Sequence, residues 1–261
     1  MKFILIIFSV LISSLLFAQT IEIKNVIGEG ILSGNTSPNE ARLEALNNAK
    51  LNALRKAGIE ENINSYQLLY SNQKENEFSQ FFTSDIQIEL KGVVKSYQIL
   101  SEETLKNKQN ELVVKVIINA EVVKYETQPD FKYNVNVTGV KSAYNKNDNL
   151  TFEITVTQDS YLQIFNITDT EVYLFYPNPY EKQTLIGANN KLSFPISNIE
   201  YQLSTEKKTE TNRLIFVFTK QIIPYIKMDS NQITSQEDVF SWIYSLPPDV
   251  RKVEYKTFIL E

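Results

Sequence analysis

The chain has 261 residues, a net charge of −5, seven glycines, no histidine and no cysteine. The missing cysteine removes disulfides and thiolate chemistry, and the missing histidine removes the commonest metal ligand and the commonest general base near neutral pH. A mildly acidic chain without basic clusters is also poorly matched to a phosphate backbone, so neither a nucleic-acid partner nor a cofactor is expected.

Lys2 precedes an apolar run, Phe3 to Ala18, which is short of the roughly 20 residues that a bilayer-spanning helix needs. One positive charge, an apolar stretch and a small residue before Gln19 predict a signal peptide over 1–18. Leu16 departs from that pattern at a position where a small residue is usual. No cysteine follows that could carry a lipid, and no later stretch is apolar enough to span a bilayer. The expectation is an exported chain, in the periplasm, outside the cell or on its surface, soluble after cleavage and with no transmembrane segment.

A first domain is expected over 19–127. A short extended segment (Ile21, Ile23, Val26) comes before a helix start at Ser37-Pro38-Asn39-Glu40, where Ser37 and Glu40 form a capping box and Pro38 suits the first helical position. Ala41, Ala45, Ala49, Ala53 and Ala57 repeat every fourth residue, with Leu46 and Leu54 widening the stripe, and Gly58 is placed to end the helix. Small residues along one face let a helix lie close against a sheet. After a polar stretch from Asn62 to Phe82, Ile86, Ile88 and Leu90 alternate as a strand. The extended pattern continues past a bulge expected at Gly92 through Val93, Val94, Tyr97, Ile99 and Leu100. A charged turn is expected over Ser101 to Asn110, then a strand over Leu112 to Val123. A helix followed by an antiparallel pair predicts an α+β layer.

On the Ala-rich helix (Glu40 to Ala57), the strand GVVKSYQILSE (Gly92 to Glu102) and the strand from Val114 to Val122, this part resembles the small domain of LPP-twenty-type envelope lipoproteins and of flagellar assembly T proteins. The resemblance implies an envelope setting and no catalytic residues. The lipidated cysteine of the lipoproteins has no counterpart here.

Glu126 to Asp130 reads as a joint, and a second, mainly β domain is expected over 128–261. Tyr133, Val135 and Val137 alternate, as do Phe152, Ile154 and Val156 beyond a loop at Asn145 to Asn149. Tyr161 to Ile167 and Val172 to Tyr176 form a hairpin turned at Thr168-Asp169 and stopped by Pro177 and Pro179. Lys191 to Pro195 and Leu214 to Thr219 add strands, the run LIFVF being apolar on both faces like a covered central strand. Ser235 to Asp238 starts a helix carrying Val239, Trp242, Ile243 and Leu246 on one face and ended by Pro247-Pro248; Val253 to Leu260 is the last strand. The predicted architecture is a sandwich or partly open barrel with a C-terminal helix and strand.

YLQIFN (Tyr161 to Asn166), VYLFYPNPY (Val172 to Tyr180) and LSFP (Leu192 to Pro195) resemble the bacterial domain of unknown function 4384. The resemblance covers roughly Asn149 to Tyr225 and implies an accessory domain of exported or signalling proteins, with no activity and no site residues to carry over.

Glu60-Glu61, Glu102-Glu103 and Glu237-Asp238 are the carboxylate pairs, each beside a turn or helix start where solvation or capping explains it. No catalytic residue and no metal ligand is assigned. Recognition by aromatics is the sharper expectation, because tyrosine joins an apolar face to a polar tip. Tyr173, Tyr176, Asn178 and Tyr180, at the hairpin and its corner, are the candidate binding residues. Alternation puts Tyr173 and Phe175 on one face of the hairpin, and Val172, Leu174 and Tyr176 on the other. The expected function is a non-enzymatic envelope module that binds or assembles with a protein or cell-envelope polymer. The alternative is an exported hydrolase using Asp/Glu or Ser/Lys chemistry. A hydrolase should show carboxylates converging in a deep pocket, and an adaptor an exposed apolar patch.

Overall fold

A computed structural model of the chain describes residues 19–33, 36–59, 91–107, 110–168 and 170–261. The expected signal segment, the Asn62 to Phe82 stretch, the strand at Ile86, Ile88 and Leu90, the Glu60-Glu61 pair and Asp169 lie outside these residues.

The expected short extended segment is a full strand, β1 (Gln19–Leu32). It pairs antiparallel with β3 (Leu112–Lys124), which pairs on its other side with β2 (Gly92–Lys106), giving a three-stranded sheet in the order β1-β3-β2. The apolar residues thus extend on both sides of a bulge between Ile23 and Val26, where Asn25 takes a φ of 51°. The bulge breaks the period-2 pattern and hides the strand's length. The turn expected over Ser101 to Asn110 is shorter as well, since β2 runs to Lys106. Its second half is exposed, so polar Ser101, Glu102 and Glu103 sit in a strand whose side chains face water. Register breaks in β2 fall at Val94/Ser96 and Ile99/Ser101 instead of at Gly92.

Across this sheet lies α1 (Pro38–Lys56). Its capping box is formed: the Glu40 amide donates to Ser37 Oγ at 3.2 Å and the Ser37 amide to Glu40 Oε2 at 2.8 Å. Gly58, at φ 76°, follows the last turn. The alanine stripe brings the two backbones together so closely that a Cβ on Gly28 would lie 2.0 Å from the Ala45 carbonyl oxygen. The helix also covers the free side of β1. Glu44 Oε2 accepts from the Ile31 amide at 3.2 Å, and Asn48 and Asn52 donate to the carbonyls of Glu29 and Ile27 at 2.7 and 2.8 Å. Residues four apart on a helix stand above one another, so this row matches the alternate outward groups of an edge strand.

Two open sheets make up the rest, and no barrel closes. One is three-stranded, β10-β6-β4, from β4 (Val135–Thr138), β6 (Phe152–Val156) and β10 (Lys191–Phe194). The other runs β12-β8-β7-β11-β13-β5, from β5 (Ala143–Tyr144), β7 (Ser160–Ile167), β8 (Val172–Tyr176), β11 (Glu210–Thr219), β12 (Ile233–Thr234) and β13 (Arg251–Leu260). A short β9 (Leu185–Ile186) adds to β7. The sheets face each other over Phe152, Ile154, Ile164, Phe216, Phe218 and Phe258, with the Phe152 and Phe194 rings stacked at 4.4 Å. The other face of the larger sheet (Phe165, Ile215, Val217, Val253) packs with α2 (Gln236–Ser245) through Val239, Ile243 and Leu246. Leu214 to Phe218 is buried on both faces between β7 and β13, as its apolar run predicts.

The hydrophobic cluster under α1 does not stop at the joint near Asp130; it runs on through Tyr125 to α2 and the larger sheet. Arg251, 3% exposed, sits there. Its guanidinium donates to the carbonyls of Ile243 and Leu246 at the end of α2 and, at 3.1 Å, to Tyr125 Oη, while lying over the Tyr125 ring. Tyr125 Oη in turn donates to the Tyr244 carbonyl at 3.1 Å. Among the described residues no helix is long and apolar enough to cross a membrane.

Candidate functional site

The hairpin of β7 and β8 places the four candidate residues, and a bulge decides where they go. Phe165 pairs with Leu174 but Ile164 pairs with Tyr176, leaving Phe175 as the extra residue. Tyr176 is thereby turned away from Leu174, to the face Phe175 also takes. That corrects the alternation, which put Leu174 and Tyr176 together. Tyr176 is fully buried between the sheets. Its hydroxyl donates to the Lys182 carbonyl at 3.0 Å and accepts from the Thr184 amide at 3.1 Å, and burial raises its pKa. Tyr173 is part-buried; its hydroxyl accepts from Asn166 Nδ2 at 2.9 Å, and burial raises its pKa too. As contact surfaces, Tyr176 and most of Tyr173 are lost to the core.

Asn178 organises the corner. Its Oδ1 accepts from the amides of Tyr180 and Glu181, both at 2.9 Å, and its Nδ2 donates to the Phe175 carbonyl at 2.9 Å and to Tyr201 Oη at 2.5 Å. An Asx turn of this kind explains why asparagine stands between two prolines. Tyr180 is 80% exposed, the one candidate whose ring is open to solvent.

Glu181, only 1% exposed, escapes a sequence reading. Its carboxylate accepts from the Ser197 amide at 2.6 Å and from Tyr201 Oη at 2.7 Å, tying the corner to the segment after β10. Burial, and then this acceptor, hold the Tyr201 phenol far above its usual range. Glu181→Ala would leave the Ser197 amide and the Tyr201 hydroxyl, both in part-buried bonds, without their acceptor, and about 1 kcal/mol of stability should be lost, measurable as a lower urea midpoint with unchanged slope.

Beside the corner an irregular extended strap, residues 222–228, crosses the α2 side of the larger sheet. Ile223 and Tyr225 point inward, the Tyr225 ring standing 5.0 Å from Phe165 and 5.5 Å from Trp242. The buried Gln163 carboxamide takes the place of a neighbouring strand, donating to the Ile223 carbonyl at 2.7 Å and accepting from the Tyr225 amide at 3.2 Å. Ile222 and Ile226 are left 60% and 80% exposed. Between strap and corner lies a cleft of about 460 Å³, floored by Gln163 and Leu174 and walled by Pro177 and Pro179 on one side and Pro224, Tyr225 and Met228 on the other. Lys182 and Asp229 mark its opposite rims. The alternating QIIPYIKM stretch (Gln221 to Met228) was the signal available for the strap; its proline kept it from reading as a strand.

The carboxylates of Glu102, Asp238 and Asp130 are engaged in structure. Glu102 pairs with Arg42 at 2.8 Å, and Asp238 with Lys227 at 2.8 Å, a bond that lowers its pKa. The Lys220 ammonium first, then Gln158 and the Lys132 amide, hold Asp130 well below the usual carboxylate range. Among the described residues no three acidic side chains converge as a metal site. Ser160, fully buried, donates to the Gln158 carbonyl and shares a 2.9 Å bond with Tyr133.

These residues define a β-sandwich with a proline-lined surface cleft. Residues 143–222 match the model of a family described as a domain of unknown function (DUF4384). The matched region runs from β5 to the start of the strap, so the corner lies inside it and most of the strap beyond it. A search of curated proteins finds no match to the chain.

Proposed function

We propose that the protein is a non-enzymatic module of the bacterial envelope that binds or assembles with another envelope component, using the cleft between the corner and the strap. The observation that carries this reading is the cleft itself: its volume falls within the range of ligand sites, and the exposed Tyr180 and Ile226 directly follow its lining residues Pro179 and Tyr225 in the chain. Export is supported by the signal-like first 18 residues, and the envelope setting by the likeness of the N-terminal half to LPP-twenty-type lipoproteins and flagellar assembly T proteins.

Capture from envelope extracts on immobilised protein tests the reading. Tyr180→Ala and Ile226→Asp, both exposed and structurally undemanding, should each remove the captured component. Capture that survives both substitutions would sink the cleft as the binding site.

A further inference from the structure

We propose that the cleft seats a second copy of this chain across a two-fold axis, with Lys182 of each subunit facing Asp229 of the other. This rests on the reading of the cleft as a binding site and names one occupant for it.

The charges are self-complementary. Lys182 stands on the corner rim and Asp229 on the strap rim, both exposed. Among the described residues neither makes an ion pair, whereas the neighbouring Lys227 and Lys220 are paired with Asp238 and Asp130 at 2.8 and 2.7 Å. A two-fold operation lays the corner of one copy on the strap of the other, so one cation–anion match is made twice. The same operation brings Tyr180, two residues from Lys182, towards Ile226 and Met228 near Asp229, covering apolar side chains that are otherwise left in water.

The cleft is poorly equipped for the other occupants. Its carboxamides already make internal bonds: Gln163 donates to the Ile223 carbonyl, Gln183 to that of Leu162, Gln232 to that of Pro177, and Asn178 to Phe175 and Tyr201. Those bonds tie the side chains to the cleft's own backbone, leaving the second N–H of each glutamine and the Oε1 atoms of Gln183 and Gln232 for a glycan's hydroxyls. An extended peptide added along the strap would lack a ladder bond at its middle. The Ile223 carbonyl and Tyr225 amide turn inward to Gln163, so the outward position between them is Pro224, which has no N–H to offer. Side-chain packing between two folded surfaces remains.

Sedimentation velocity at micromolar concentrations tests this. The unaltered protein should be a dimer. Lys182→Glu or Asp229→Lys alone should weaken association by roughly tenfold or more, and the two together should restore it, because each reversed charge then meets its opposite. A monomeric unaltered protein, or a dimer indifferent to the single reversals, overturns the proposal. The same variants in envelope capture keep the two readings apart. A monomer that still captures a component through Tyr180 leaves the cleft a binding site without self-association. A dimer that captures nothing leaves the self-association and removes the envelope partner.

Discussion

Gly28→Ala should unfold the N-terminal layer or cost it at least about 3 kcal/mol, because the added carbon has nowhere to go. A Cβ there would lie 2.0 Å from the Ala45 carbonyl oxygen and 2.2 Å from the Ala49 amide nitrogen, both backbone atoms of α1. No rotamer change relieves such a contact; the helix must lift off the strand. Lifting it opens the buried alanine face and breaks the bonds from Asn48 and Asn52 to β1. Urea unfolding followed by far-UV circular dichroism checks the prediction, with Asn52→Ala as the comparison. That change removes the bond to the Ile27 carbonyl and the one that Asn52 Oδ1 accepts from Arg55, both exposed, and should cost about 1 kcal/mol. Equal costs for the two variants would mean that close approach is not what holds the layer.

Arg251→Met should cost about 3 kcal/mol and loosen the connection between the two halves of the molecule. Arg251 is a buried cation whose bonds go to helix-end carbonyls and a tyrosine hydroxyl. The negative end of α2 and the Tyr125 ring supply the compensating field. Methionine keeps much of the apolar stem and removes the donors, so the loss reports the bonds more than the volume. Trp242, the only tryptophan, sits in α2 against Phe165 and Tyr225 and gives a local signal. In the unaltered protein its fluorescence and the far-UV signal should change together on heating. In Arg251→Met the tryptophan signal should move first. Coincident, unshifted transitions in the variant would show that the packed cluster suffices without the guanidinium.

Features written in local residues were legible in the sequence. The capping box at Ser37 and Glu40, the alanine stripe and the doubly buried LIFVF strand each depend on neighbours in the chain or a simple period. What escaped depends on partners far away. A bulge at Asn25 concealed half of β1, and another at Phe175 sent Tyr176 into the core. Both shift the period by one residue, which no alternation count detects. Glu181 reads as a surface acid beside a lysine until Ser197 and Tyr201 are brought to it by the fold. The strap has no ladder of its own; its extended shape comes from a glutamine on β7, some 60 positions earlier in the chain. Only Tyr180 of the four candidates kept an open ring, because the corner is built by the very residues that looked available for binding.

The match that ends at Ile222 falls inside the cleft's architecture. A fragment cut there would retain the corner, with Asn178 and Glu181 still bonded within it, but would strip the larger sheet of β13, α2 and the strap. Gln163 would lose both its partners, and Phe165 its aromatic neighbours. The recognisable region therefore carries one wall of the cleft. The opposite wall is supplied by the tail of the chain, so proteins alike over 143–222 but different afterwards would set the same corner against a different wall.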